Sequence, residues 1–547
     1  MADSNNDLVA EVQEGYRTDG PALELGALLH DEQAQPQAGV RIPLRVLNRH
    51  GLIAGATGTG KTKTLQVLAE QLSAQGVPVF LADVKGDLSG LAAPGEADDR
   101  ITERAQQVGQ DWVPTAAPCE FYSLGGRGTG LPIRATITEF GPVLLSKILD
   151  LTDVQSSSLN MVFYFADKAG LPLLDLKDLR AVIQYLTSED GKKDLKGIGG
   201  ISTSTANVLL RELIAFEEDG ADVFFGEPQF DPQDLLRTTP DGKGIVSCLE
   251  LPGVQTEPRL FSTFLMWLLV ELFETLPEVG DPEKPKMVFF FDEAHLLFKD
   301  ASKEFLEQIT QTVRLIRSKG VGVFFVTQQP TDVPRDVLAQ LGSRVQHALR
   351  AFTPEDAKAL RETAKTYPDS GYDLTEVLTQ LGTGEAVVTV LSEKGAPTPV
   401  AWTRLRAPLS LMAPIPEADL QATVDASPLA GKYGEVVDRE SAYEKLAARV
   451  QQPEEIDGQE RIDGQEKAEK DRQLDELAAQ YRDQEQRSPD YSDDKPARRR
   501  DREPEPESGM AERVLESSAF RSFTRSAATV IGREITRSLF GVRRRRR

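Results

Sequence analysis

A glycine-rich stretch early in the chain has the composition of a phosphate-binding loop. It satisfies the pattern G-x-x-x-x-G-K-S/T in full, lies between an apolar run and a helix-like segment, and reads Gly55, Ala56, Thr57, Gly58, Thr59, Gly60, Lys61, Thr62. Glycines let backbone N–H groups surround phosphate oxygens, and a following helix N-terminus adds partial positive charge. A flexible turn is the alternative, but it does not account for the Lys-Thr pair. We predict an ATP site at residues 55–63, which includes Lys63, with Lys61 on the β- and γ-phosphates and Thr62 on Mg²⁺.

An acidic pair follows the apolar run at residues 287–291. Asp292 is placed to bind Mg²⁺ directly or through water, and Glu293 is placed to polarise an attacking water as a general base. An ordinary acidic turn is the alternative, which the complete glycine-rich motif upstream disfavours. We therefore predict Asp292 and Thr62 as metal ligands and Glu293 as a catalytic residue.

Polar residues also follow two other apolar runs. Asp83, Lys85 and Asp87 come after residues 79–82, and we place them near the nucleotide or its Mg²⁺, with a solvated turn as an alternative of nearly equal weight. Gln328 comes after residues 321–326 and could sense the γ-phosphate or orient the water; otherwise it is a polar residue that ends a strand. His295 is assigned no catalytic role, since a single histidine after a strand is more often structural.

Charge that develops on a transferred phosphoryl group is normally stabilised by an arginine, and in ring ATPases a neighbouring subunit supplies it. Arg344 and Arg350 flank residues 345–349 and are the preferred candidates, followed by Arg314 and Arg317. A surface salt bridge is the alternative role for each. The sequence does not decide which arginine crosses a subunit boundary.

The order of the apolar runs predicts how these residues are positioned. Strand, helix and strand alternate around the glycine-rich loop, which indicates an α/β fold with a mainly parallel sheet whose ligands collect beyond the carboxyl ends of the strands. We predict an N-terminal β segment at 1–45 and one large domain at 46–405. Helical periodicity at about 134–242 predicts a large insertion in that domain.

The character of the chain changes after residue 405. Residues 406–435 are predicted as a Pro-containing linker, and 436–508 as a charged, low-complexity region of a partly disordered tail. Residues 509–547 are predicted as a basic amphipathic helix with an arginine tail at 543–547. Such a helix could bind nucleic acid, an anionic membrane or an acidic partner, and docking on the acidic core of its own chain is an equal alternative.

Composition restricts the partners and the compartment. The 547 residues carry a net charge of −23, so any DNA contact requires a local basic patch or pore lining. Cys119 and Cys248 indicate neither a disulfide framework nor a zinc site and fit a reducing compartment. The polar start is unlike a signal peptide, and the apolar run at 260–273 is short for a bilayer and is predicted as a core helix. A cytoplasmic location is predicted.

Several of these stretches resemble a known family. LNRHGLIAGATGTGKT at 47–62, FFFDEAH at 289–295, RSKGVG at 317–322 and the segment around 140–145 are similar to the YjgR-type branch of HerA-like ATPases, in the FtsK/HerA group of ring translocases. The resemblance covers about residues 20–410. It implies a RecA-like P-loop core, Mg²⁺-dependent ATP hydrolysis, a hexameric ring and translocation on double-stranded DNA. By the same resemblance, Lys61 and Thr62 match the phosphate loop (Walker A), Asp292 and Glu293 the Walker B pair, and Gln328 the sensor.

Two functions of different classes remain open at this stage. The first is an ATP-driven, ring-forming helicase or translocase that acts on DNA. The alternative is an ATP-switched assembly or scaffold protein whose basic tail binds a membrane or a protein partner. A nucleotide-binding protein without turnover is disfavoured by Glu293 and Gln328. The sequence identifies neither a nuclease nor any other protein partner.

Overall fold

The computed structural model describes residues 2–195, 199–251, 258–298 and 303–451. All of them belong to one compact unit of the chain, residues 1–454. The basic amphipathic helix predicted at 509–547, and the charged region beyond 451, lie outside the described residues.

A single sheet organises this unit. Within the described residues it has twelve strands in the order β2-β1-β12-β11-β10-β3-β9-β8-β4-β7-β5-β6. The strands are β1 (Ala22–His30), β2 (Gln33–Pro43), β3 (Gly51–Ala54), β4 (Val79–Asp83), β5 (Cys119–Leu124), β6 (Leu131–Ile133), β7 (Val246–Glu250), β8 (Met287–Phe291), β9 (Val321–Thr327), β10 (Ser343–Gln346), β11 (Glu385–Thr389) and β12 (Ala401–Leu405). The strands from β10 to β6 pair in parallel, and β11, β12, β1 and β2 extend the sheet in antiparallel fashion. The predicted mainly parallel α/β fold is therefore confirmed.

Helices connect these strands. They are α1 (Ala2–Gly15), α2 (Lys61–Ala74), α3 (Asp99–Val108), α4 (Ile137–Ile148), α5 (Asp153–Lys168), α6 (Leu176–Thr187), α7 (Glu189–Asp194), α8 (Thr203–Glu218), α9 (Pro258–Thr275), α10 (His295–Phe298), α11 (Lys303–Ile316), α12 (Arg335–Leu338), α13 (Pro354–Ala364), α14 (Leu374–Gln380), α15 (Glu417–Asp425), α16 (Ala430–Tyr433) and α17 (Ala442–Gln451). In the parts of the chain described above, every helix is too short or too polar to span a lipid bilayer.

The central strands are apolar because the sheet is covered on both faces. All five residues of β8 are buried, and so are all seven of β9. Phe290 and Phe324 pack across these two strands with ring centroids 5.2 Å apart. Parallel strands in the middle of a sheet typically show such continuous apolar runs instead of alternation. This packing fixes the register of β8 against β9.

The register places the ends of four strands at one edge of the sheet. β9 lies between β3 and β8, with Ala54 opposite Thr327 and Phe291 opposite Phe325. β4 lies on the other side of β8, with Ala82 opposite Phe291. The segments that follow β3, β9, β8 and β4 therefore begin side by side at the carboxyl edge, where ligands bind in sheets of this kind.

Helices α4 to α8 occupy residues 137–218, inside the segment for which a helical insertion is predicted. They pack mainly on one another, and α4 also contacts α9 and α11. The Phe224 and Trp267 rings, 5.6 Å apart, help to join this part of the chain to α9. The insertion is thereby packed against the core domain.

The prediction of a β segment for residues 1–45 is wrong for its first third, because Ala2–Gly15 is the helix α1. Val12 and Tyr16 of this region are buried, and the Tyr16 hydroxyl lies 2.9 Å from the carbonyl oxygens of both Val388 and Pro399. Burial against the antiparallel part of the sheet stabilises a helix whose own sequence pattern is weak. The remainder of the segment forms β1 and β2.

The prediction of a Pro-containing linker at 406–435 is also wrong, because this stretch docks on α2 at its start and then forms the helices α15 and α16. The start of the charged region predicted at 436–508 likewise forms the helix α17. Residues 407–415, which we call the C-terminal strap, lie along α2. The Glu70 carboxylate accepts hydrogen bonds from the backbone N–H groups of Leu409 (2.9 Å) and Ser410 (3.1 Å), and Gln66 donates to the Leu411 carbonyl (3.1 Å). A polar stretch can be well ordered when its backbone groups find partners in this way. Proline content alone does not reveal such docking.

Glu70 should make stability depend on pH. Burial raises its pKa to about 7, although the strap N–H groups and the Ser410 hydroxyl oppose this rise. Between pH 4.5 and 7 the folded state therefore holds a proton that the unfolded state has released, so stability falls as pH rises through this range and then stays level. We expect Glu70→Gln to remove this component, on the order of 3 kcal/mol. Thermal unfolding of the wild type and of Glu70→Gln from pH 4.5 to 8 measures this difference in the free energy of unfolding. If the stability of both proteins changed with pH in parallel, the assignment to Glu70 would be contradicted.

Candidate active site

The glycine-rich loop joins β3 to the N-terminus of α2. Gly60 adopts φ 111° directly before Lys61, a left-handed conformation that favours glycine. The loop is tied to the sheet, since Gly55 N–H donates to the Thr327 carbonyl (3.2 Å) and Ala56 N–H to the Ala348 carbonyl (2.8 Å). The free N–H groups of the first turn of α2 point along the helix axis toward this loop, an arrangement suited to an anion.

Lys61 lies folded over the loop. Its Nζ donates to the carbonyl oxygens of Gly55 (2.7 Å) and Ala56 (3.2 Å). Burial lowers its pKa, while the charges of Glu293 and Asp292 oppose the change. The ammonium group is thus positioned between the phosphate loop and the acidic pair. The neighbouring Lys63 reaches away from the loop, to Gln66 Oε1 (2.9 Å) and the Met412 carbonyl of the C-terminal strap.

Three aspartates meet at the carboxyl edge beside this loop. Asp83, Asp87 and Asp292 each offer an oxygen, and these oxygens lie within 4.8 Å of one another. The Thr62 hydroxyl, 3.5 Å from Asp87 Oδ2, adds a further oxygen. Oδ1 of Asp87 and Oδ2 of Asp292 are buried and have no hydrogen-bond partner within the described ranges. A set of hard oxygen donors with free lone pairs fits Mg²⁺.

Burial controls the charge of this cluster. It raises the pKa of Asp83 to about 6 and that of Asp292 to about 7, the latter against the opposing charge of Lys85. Asp83 is fully buried and accepts hydrogen bonds from the N–H groups of Gly86 (2.7 Å) and Leu88 (2.8 Å). These bonds fix the turn after β4, so the solvated-turn alternative does not apply to Asp83. A bound cation would favour the charged form of each carboxyl.

Glu293 adopts a left-handed backbone conformation with φ 48° and is nearly buried. Its Oε1 forms an ion pair with Nζ of Lys85, and Nδ1 of His295 lies 3.1 Å from its Oε2. Burial would raise the pKa of Glu293, but the hydrogen bond and charge of Lys85 outweigh burial and lower it. The carboxylate is therefore held in its charged form beside the aspartate cluster.

Gln328 immediately follows β9, the strand between the loop strand β3 and the acidic-pair strand β8. Its side chain is exposed. The preceding Thr327 is anchored by a hydrogen bond from its hydroxyl to Asp332 Oδ2 (2.6 Å). The structure therefore places Gln328 at the same sheet edge as the loop and the acidic pair.

The two preferred arginines are in different surroundings. Arg350 is exposed and donates to the carbonyl of Thr57 in the phosphate loop of its own chain (3.4 Å). Arg344 instead donates to the carbonyl oxygens of Thr366 (3.1 Å) and Leu338 (3.5 Å). Of this pair, the structure brings Arg350 to the loop. The secondary candidate Arg317 pairs with Asp281 at 3.3 Å.

His347 is a supporting residue that sequence reasoning missed. It follows β10, is fully buried, and its Nε2 lies 2.9 Å from the Thr64 hydroxyl of α2. Burial lowers its pKa to about 3, so the ring is neutral. A Cβ added to Gly55 would lie 2.5 Å from the Cβ of His347, and a Cβ added to Gly60 would lie 3.5 Å from its ring, so His347 packs directly behind the loop. A lone histidine after a short strand gives no sequence signal for such a role.

A family model and several known proteins match this chain. The family model for the helicase HerA-like C-terminal family matches residues 29–547. The DNA double-strand break repair helicase HerA of Sulfurisphaera tokodaii is 24% identical over 355 residues, 64% of this chain and 64% of the relative. A probable helicase of Methanocaldococcus jannaschii, MJECL08, is 34% identical over 153 residues, 26% of this chain and 28% of the relative. The chain thus matches about 64% of the length of the HerA relatives.

Among solved structures, the bacterial conjugative coupling protein TrwB, in an unbound monoclinic crystal form, superposes with a TM-score of 0.50 at 16% identity. The match covers 75% of this chain and 94% of TrwB. At this identity the likeness is one of fold, and it confirms the predicted RecA-like P-loop core. Since the family model covers most of the sequence, the resemblance inferred from the motifs is also confirmed. The chain belongs to the helicase HerA-like C-terminal family.

Proposed function

We propose that this protein hydrolyses ATP with Mg²⁺ and that a ring of its subunits uses the reaction to move on double-stranded DNA. One observation carries the proposal. The glycine-rich loop after β3, the aspartate cluster after β4 and β8, and Glu293 lie together at one edge of the sheet. Hydrolysis of a phosphoanhydride requires positioned charge from several strand ends, and this edge supplies it.

Each residue at this edge is assigned a role in ATP hydrolysis. The loop at 55–60 and the N-terminus of α2 bind the phosphates through backbone N–H groups, and Lys61 supplies the positive charge. Glu293 accepts a proton from the attacking water, and Gln328 orients that water. Arg350, which contacts the loop of its own chain at Thr57, stabilises charge on the transferred group.

The metal chemistry fits the donors available. Thr62 and Asp292 would hold Mg²⁺, with Asp83 and Asp87 as further oxygen donors directly or through water. When bound, the ion neutralises charge on the β- and γ-phosphate oxygens. Three aspartates make this site more acidic than a site with one carboxylate, so we expect ATP to bind together with its metal.

The ring and the DNA substrate are supported by family membership and by the relatives named as helicases. The overall charge of −23 means that DNA would be contacted through a local basic surface within the assembly. A cytoplasmic location remains a prediction.

The decisive measurement is ATP turnover with and without double-stranded DNA, on particles sized by light scattering. We expect the mass of six subunits and faster turnover with DNA. The stimulation should weaken steeply with added salt, because phosphate contacts release counterions. The ATP-switched scaffold would be favoured instead if DNA did not change the rate of ATP turnover and if the protein bound lipid or another protein through its tail.

A further inference from the structure

A lysine after β4 reaches the candidate base after β8. Nζ of Lys85 forms an ion pair with Oε1 of Glu293; the lysine side chain is 39% exposed and that of Glu293 is 8% exposed. Lys85 therefore extends from solvent to a carboxylate that is almost closed off from water.

The second oxygen of Glu293 lies near a histidine without a hydrogen bond to it. Nδ1 of His295 is 3.1 Å from Oε2, and neither atom has a hydrogen-bond partner within the described residues. The backbone of Glu293 is left-handed, a conformation that costs a non-glycine residue on the order of 1–3 kcal/mol and persists where surrounding groups enforce it. The ion pair with Lys85 holds the side chain of the same residue, so the observed orientation of the carboxylate depends on Lys85.

The backbone that carries Lys85 is itself firmly fixed. Asp83 accepts hydrogen bonds from the N–H groups of Lys85 (3.1 Å), Gly86 (2.7 Å) and Leu88 (2.8 Å). Breaking the ion pair therefore requires only rotation of the lysine side chain. A half-exposed side chain on a rigid turn can make that movement at low cost.

We propose that Lys85 is a positioning residue that restrains Glu293 and keeps ATP turnover low until a stimulating partner, double-stranded DNA, draws the lysine away. The inference rests on the proposed ATPase function and adds a control on its catalytic base. The ammonium group on Oε1 competes with water for this carboxylate and fixes the direction of the unbonded Oε2. Efficient turnover therefore requires Glu293 to turn away from Lys85.

Lys85→Met tests the proposal because it removes the charge and keeps most of the side-chain length. We expect turnover without DNA to rise roughly twofold to tenfold, as for the loss of a partly exposed ion pair. The stimulation ratio should fall by a similar factor. The dissociation constant for a non-hydrolysable ATP analogue should stay unchanged. Lys85→Arg, which retains the pair, should resemble the wild type.

Lys243→Met is the matched control. Lys243 pairs with Asp241 at 3.6 Å and is 42% exposed, so the same chemical change is made at a similar exposure. We expect no effect on turnover. Lower turnover in Lys85→Met, or weaker binding of the analogue, would overturn the proposal, because either result would make Lys85 a nucleotide-binding residue.

A second measurement does not depend on activity. Thermal unfolding of Lys85→Met, Glu293→Gln and the double variant forms a double-mutant cycle. Non-additive shifts support the restraint, and additive shifts overturn it. If DNA did not change the turnover of the wild type, that result would contradict both the role of DNA in the proposed function and the release of Lys85 from Glu293 by DNA. A wild type without any turnover would contradict the ATPase assignment, and the cycle would still report on the restraint.

Discussion

Glu293→Gln is expected to lower the maximal rate of ATP hydrolysis by about 10²–10⁴-fold, the usual contribution of a general base. The amide has nearly the same shape as the carboxylate but does not take up a proton from water. Because Lys61 and the loop amides remain, the affinity for a non-hydrolysable ATP analogue should be unchanged. Steady-state turnover and equilibrium binding of a fluorescent analogue separate the two effects.

Glu189→Gln provides the control, since Glu189 is 87% exposed in a surface pair with Lys192 on α7. It should hydrolyse ATP as the wild type does. If Glu293→Gln retained turnover within about threefold of the wild type, Glu293 would not be the base. Loss of analogue binding in the same variant would show instead that the substitution disrupts the site as a whole.

Arg350→Ala is expected to reduce turnover by about 10³–10⁵-fold, as loss of an arginine that stabilises the transferred phosphoryl group does in related chemistry. Its guanidinium is exposed and touches the phosphate loop at Thr57. Arg344→Ala should lower the thermal stability more than the rate of ATP hydrolysis, because Arg344 donates hydrogen bonds to the carbonyl oxygens of Thr366 and Leu338. Turnover and thermal unfolding of the two variants distinguish these roles.

Mixing variants tests whether Arg350 serves its own subunit. An equimolar mixture of Glu293→Gln and Arg350→Ala subunits should stay inactive if both residues act in one chain, as the contact with Thr57 favours. Recovery of turnover in mixed rings would show that the arginine completes a neighbour's site. Arg361→Ala, at an exposed position on α13, controls for the loss of a surface charge. A mild loss in Arg350→Ala would redirect attention to Arg314 and Arg317.

The position of the candidate site at the carboxyl edge could be predicted from the sequence because the site consists of strand ends. Continuous apolar runs located β3, β4, β8 and β9, and in a parallel sheet the residues after each run face one edge. Asp83 and Asp87 could therefore be placed near Asp292, although the strand order that makes them neighbours came from the structure. Periodicity likewise indicated the insertion at α4 to α8.

Contacts between distant parts of the chain could not be predicted from the local sequence pattern. Lys85 against Glu293 and His347 behind Gly55 depend on which strands are neighbours, and nothing local in the sequence encodes that. The same holds for the C-terminal strap, which is held by hydrogen bonds from its backbone N–H groups to the Glu70 carboxylate. Almost any residue carries such a backbone group, so the sequence does not reveal the contact. Helix α1 was missed because burial against the sheet outweighs its weak intrinsic pattern.

The position of β3 has a consequence for biosynthesis. Its two hydrogen-bonded neighbours, β9 (Val321–Thr327) and β10 (Ser343–Gln346), come from far later in the chain. A nascent polypeptide that has just emerged with its glycine-rich motif therefore lacks both strands that flank β3, and we expect it to gain affinity for nucleotide only after residue 346 has left the ribosome. Stabilisation of the fold by bound ATP is therefore expected only after β9 and β10 have been synthesised.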